Sequence, residues 1–200
     1  MGVPWGDIAT FSTAGFSAVA AGGAWFAAHR ANTTANTVAR IEVERWHAEL
    51  TPQFDIELTE TGSGQALLNV HLNGPDALRQ LDSVAIAVGN DDMEHTLLHP
   101  APNVTQADVD AFVWGPFKFT HGANGTDEYG RGPEPFPLDV GRGTRRAMQR
   151  TRPGHWMEGK TQGMWQGEYV GKPIRLVLTC RRGDQEWVIA RQLENPLFSS

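Results

Sequence analysis

Phe54-Asp55-Ile56-Glu57-Leu58 alternates apolar and acidic side chains with a period of two. Successive side chains of a β-strand point to opposite faces, so this order lays one face on a core and leaves the other in water. The alternation returns downstream. Leu68, Val70 and Leu72 alternate with Asn69 and His71 after a Gly62-Ser63-Gly64 turn, and Val84, Ile86 and Val88 alternate with small residues before Gly89-Asn90-Asp91. Ile174, Leu176, Leu178 and Cys180 share one face, and Arg182-Gly183-Asp184 then turns the chain into Glu186 to Leu193, which predicts a hairpin. Val113 to Phe119 supplies a further strand, preceded by a short helix over about Gln106 to Phe112 with Thr105 as its cap. Many strands with little helix between them predict a mainly β fold. The expected architecture is an antiparallel β-sandwich, the immunoglobulin-like arrangement among the forms it allows, preceded by a long N-terminal helix.

Upstream of Pro52 the period becomes helical. Ala35, Ala39, Val43, Trp46 and Leu50 recur three or four residues apart, and Pro52 forces Thr51 out of the α region and ends the helix. Further back, Ile8 to Ala28 is an uncharged run between Asp7 and His29-Arg30. At a rise of about 1.5 Å per residue it spans roughly 31 Å, the thickness of a bilayer's hydrocarbon core, and it reads as one membrane-spanning helix. Trp5 and Trp25 fall near its ends, where indole rings favour the headgroup boundary. No Lys or Arg precedes the run, which argues against a cleaved signal peptide, while Arg30, Arg40 and Arg45 follow it. That bias places the C-terminal part in the cytoplasm of a single-pass protein of the cell membrane. Gly15, Val19 and Gly22-Gly23 leave a small-residue face on which a second helix can pack, a route to self-association. The contrary reading makes the first helix an interface in a soluble oligomer or assembly. The expected organisation is a span over 1–30, a stalk over 31–52, a sandwich over 53–194 and a tail over 195–200.

Composition sets limits on partners. A net charge of −6 argues against a general nucleic-acid binder, because phosphate contacts need a basic surface. Cys180 is the only cysteine, so no intrachain disulfide forms. No cofactor is implied.

Four stretches carry a resemblance: RWHAELTPQF at 45–54, LNGPDALRQLDSVAIAV at 72–88, VWGPFKF at 113–119 and IRLVLTC at 174–180. On these the chain resembles uncharacterised actinobacterial proteins with a membrane-proximal helix followed by a β-rich domain. The resemblance implies organisation and a bacterial source, and carries over no activity or catalytic residue.

Between His121 and Lys172 the chain is crowded with Gly, Pro and Arg, which predicts long surface loops, where binding residues usually sit. Arg142, Arg145, Arg146, Arg150 and Arg152 cluster there in an otherwise acidic protein and suit a phosphate, an anionic headgroup or an acidic partner. Trp156 and Trp165 sit among glycines in the same region as candidate binding anchors. Gly154, Gly159, Lys160 and Thr161 satisfy the spacing of a phosphate-binding P-loop. Against a nucleotide site, the Gly-rich sequence after Thr161 is a poor helix former, and too little chain follows for the downstream parallel strands. His95 and His99 are four apart beside Asp91, Asp92 and Glu94, but Pro100 stops any helix that would aim both at one metal. Cys180 alternates with core residues and reads as a buried structural thiol. No acid–base pair, triad or metal ligand set has a confirming context. The sequence therefore predicts a membrane-anchored, non-catalytic binding module with an unknown protein partner.

Overall fold

Among the described residues, alternation produces eight strands in two four-stranded antiparallel sheets, with few helices. In chain order these are β1 (Gln53–Gly62), β2 (Gln65–Gly74), β3 (Gln80–Val88), helix α1 (Gln106–Ala111), β4 (Phe117–Phe119), β5 (Phe136–Asp139), β6 (Gly143–Arg150), helix α2 (Gln162–Glu168), β7 (Ile174–Arg182) and β8 (Gln185–Leu193). The computed structural model describes residues 41–42, 45–97 and 104–196. One sheet runs β1-β2-β6-β4 and the other β5-β3-β7-β8. The hairpin expected at 182–184 joins β7 to β8, with Arg182 opposite Gln185. β4 is shorter than its apolar sequence suggests, pairing only Phe117 to Phe119 with Met148 to Arg150.

Inward residues of both sheets join one hydrophobic core. Leu68, Val70 and Leu72 of β2, Phe117 and Phe119 of β4 and Met148 of β6 meet Val84, Ile86 and Val88 of β3 and Leu176, Leu178 and Cys180 of β7. A second cluster gathers Val109 of α1, Trp165 of α2, Val104, Trp114 and Tyr169, with Phe112 and Trp156 packed against it. Its two buried indole N–H groups are paired. The Trp114 indole N–H donates to the Val109 carbonyl at 2.9 Å, and that of Trp165 donates to Thr151 Oγ1 at 2.8 Å.

The chain divides into two units, Met1–Glu49 and Leu50–Ser200. In the first, residues 45–49 are helical, and Arg45 pairs with Glu49 at 2.8 Å. The membrane span expected over 8–28 and most of the helix expected over 31–50 lie outside the described residues. No helix among the described residues is long and apolar enough to cross a membrane.

The stretch expected as surface loops instead contains β5, β6 and α2. Arginine disguises the period of two in β6, where Thr144, Arg146, Met148 and Arg150 alternate with Arg145, Ala147 and Gln149. An arginine tolerates an inner position when its charge is paired or stacked. Arg150 pairs with Glu60 of β1, and the Arg146 guanidinium lies 3.9 Å from the Phe136 ring centroid. In α2, Gly163 and Gly167 do not prevent a helix, because Thr161 caps its first turn and Trp165 is drawn into the second cluster.

Candidate functional site

Strand alternation separates the five arginines expected to act together. Arg142 lies in the turn before β6 and is exposed, as is Arg145 within the strand. Arg146 turns inward, where its Nη1 donates to Thr144 Oγ1 at 2.6 Å and its Nε is buried without a partner among the described residues. Burial holds that guanidinium below its ordinary pKa. Arg150 also turns inward. Its Nε donates to Glu60 Oε1 at 2.7 Å, Nη2 donates to the same oxygen, and Nη1 finds no acceptor among the described residues. Arg152, past the strand end, is exposed and makes no ion pair among the described residues.

At the end of β6 these residues meet groups that the sequence did not single out. A concavity of about 380 Å³ is lined by Lys118, Arg150, Arg152 and His155, with Phe112 and Trp156 as its aromatic part. Among the described residues no carboxylate lines it. Lys118 stands on β4 opposite Gln149, and burial lowers its pKa while the field of Asp127 opposes the shift. Gly130 makes room for its stem. A Cβ there would lie 2.6 Å from the Phe119 carbonyl oxygen and 3.0 Å from Lys118 Cδ, and the backbone has φ +81°. Gly154 does the same for Trp156, since a Cβ on it would lie 2.7 Å from the indole ring. The Trp156 ring meets Phe112 and His155 edge to face, with centroids 5.2 Å away in both cases. The arrangement can hold an anion against cationic donors beside an aromatic surface.

Trp165 is 1% exposed and fills the second cluster, so of the two tryptophans only Trp156 reaches the surface. The P-loop-like segment does lie between a strand and a helix, yet its parts are engaged elsewhere. Lys160 Nζ pairs with Glu168 at 2.7 Å and lies 4.9 Å from the Trp165 ring centroid. The N–H groups of Met157 and Lys160 donate to the Gly154 and Met157 carbonyls, making turns where a phosphate cradle would need free donors. His95 Nε2 pairs with Asp91 Oδ1 at 2.6 Å, the carboxylate accepting, and the imidazole stacks on Trp114 at 3.5 Å, while His99 lies outside the described residues. Among the described residues no group of three His, Cys, Asp or Glu is placed to hold a metal ion. Cys180 is fully buried, and burial pushes its thiol up to about 12.

Arg150, Arg152 and Trp156 were legible as candidates because their residue types stand out in sequence. Lys118 and His155 were not, because their role arises from β4 pairing with β6 and from a turn that no local pattern announces. Comparison with protein-family models, with curated proteins and with solved structures gave no match.

Proposed function

We propose that this chain is a non-catalytic binding module, held at the cell membrane by residues 8–28, whose β-sandwich grips an anionic group of its partner or ligand. The supporting observation is the concavity at the end of β6, which Lys118, Arg150, Arg152 and His155 line with no carboxylate among the described residues. Arg150 is neutralised by Glu60, and Asp127 acts on Lys118 from outside the lining, while Arg152 makes no ion pair among the described residues. Arg152 and Lys118 are therefore the cations available to an incoming anion.

The sheet order supports an immunoglobulin-like sandwich. β1-β2-β6-β4 matches the order A-B-E-D, and β5-β3-β7-β8 matches C′-C-F-G, with the two short strands exchanged along the chain. The inter-sheet disulfide and the strand-C tryptophan of antibody domains have no counterpart here. Such sandwiches serve many purposes, so the fold narrows the function less than the site does.

Titration of the full-length chain with inorganic phosphate, followed through tryptophan fluorescence and amide NMR shifts, tests the reading. Saturable shifts around residues 149–156 are expected, with Arg152→Glu weakening binding by about tenfold or more, as reversal of a charge at an anion contact should. Binding unchanged in Arg152→Glu, or no binding in either form, overturns it.

A further inference from the structure

The basic concavity shares Gln149, Arg150, Arg152 and Pro153 with a second and larger one of about 700 Å³. There the lining changes character. Gln65, Gln149, Gln162 and Gln166 bring four carboxamides together with Ser63, and the one carboxylate, Glu60, is already taken by Arg150. Gln162 donates from Nε2 to the Thr151 carbonyl at 3.0 Å, and the other three side chains make no hydrogen bond among the described residues. These glutamines come from β2 and from the consecutive elements β6 and α2 far downstream of it. A carboxamide offers an acceptor and two donors side by side, which suits a hydroxyl group that itself both donates and accepts.

Resting on the anion-binding reading above, we infer that the ligand is a phosphorylated sugar or polyol. Its phosphate lies against Arg152 and Lys118, its hydroxyls against the glutamine amides, and a C–H face of its ring against Trp156. A dianionic head matches several cations around one space better than a single carboxylate does. The volumes fall within the range of small-molecule sites. An acidic peptide fits less well. Peptides commonly add to an unpaired strand edge, whereas β6 lies between β2 and β4, and its C-terminal end is bonded too: the Arg150 N–H donates to the Gly64 carbonyl and that of Thr151 to the Pro116 carbonyl.

Calorimetric titration of the full-length chain with inorganic phosphate, glucose 6-phosphate, mannose 6-phosphate, glycerol 3-phosphate and AMP tests this. At least one sugar or polyol phosphate is expected to bind about tenfold or more tighter than phosphate. The double variant Gln65→Leu, Gln166→Leu, at two residues that line only the larger concavity, should bring that ligand back to the affinity of phosphate while changing phosphate binding by less than about twofold. Equal affinity for phosphate and every sugar or polyol phosphate, or tightest binding of AMP, overturns the inference and leaves the anion site standing. Loss of phosphate binding in all forms removes both.

Discussion

Arg131 shows how one side chain ties the second cluster to the sheets. Its guanidinium donates to the Ala111 and Phe112 carbonyls at 3.0 Å each, to the Asp110 carbonyl at 3.3 Å and to the Val88 carbonyl at 3.3 Å. It thus collects the carbonyls left open at the C-terminal end of α1 and places a positive charge at the negative end of the helix. The backbone holds the arginine in turn, for the Val88 N–H donates to the Arg131 carbonyl at 2.8 Å. Asp127 orders the loop beneath, accepting from the Gly130 N–H at 2.6 Å and the Arg131 N–H at 2.9 Å. Arg131→Met keeps the stem and removes every one of the side-chain donors. A loss of about 2 kcal/mol is expected in urea unfolding, from carbonyls deprived of a charged partner. An unchanged midpoint would mean that water replaces the guanidinium at no cost, and that α1 is held by Val109 and Trp114 alone.

Among the elements, α1 has only six residues and depends on its cap. The Asp108 N–H donates to Thr105 Oγ1 at 3.3 Å, and the Thr105 N–H donates to Asp108 Oδ2 at 2.8 Å, a reciprocal pair at the first turn. The Thr105 hydroxyl, donating to Asp108, is the larger cause holding that carboxyl below its ordinary 3.8, and the Thr105 N–H is the next. A carboxyl lowered on folding contributes stability that is complete above its unfolded pKa and is lost as pH falls through the folded one. Thr105→Ala is therefore expected to cost about 1 kcal/mol near neutral pH, with the gap from the parent narrowing in acid, as read from urea unfolding at several pH values. This cap was legible in sequence, as were β1, β2, β3 and the β7-β8 hairpin, because each announces itself through local periodicity or turn chemistry. β6 was not legible. Its inner face carries Arg146 and Arg150, and only the folded arrangement supplies the Phe136 ring and the Glu60 carboxylate that make those positions tolerable. The same distance in sequence hides the candidate site, where Gln65 and Gln149 stand opposite one another only through the β2-β6 pairing.

For the whole molecule, delivery of the site to its ligand turns on residues 8–28. Length favours a membrane span, whereas lipophilicity favours it less, since Ile8, Phe11, Phe16, Val19, Trp25 and Phe26 are the main apolar anchors among Ala, Gly, Ser and Thr. The same small residues would let two helices approach closely, inside a bilayer or in a soluble assembly. Leu50–Ser200 is a compact unit by itself, with its own core and the whole candidate site, so removing residues 1–30 should leave phosphate binding intact. Fractionation of the full-length chain beside one lacking residues 1–30, with an alkaline wash of the membranes, separates the two readings. The expected result is that only the full-length chain stays in the washed membranes. If both forms are soluble and the full-length chain alone elutes as a defined oligomer, residues 8–28 serve as an assembly interface. The site would then be presented in several copies on one particle, and its avidity would follow from that geometry instead of from a surface.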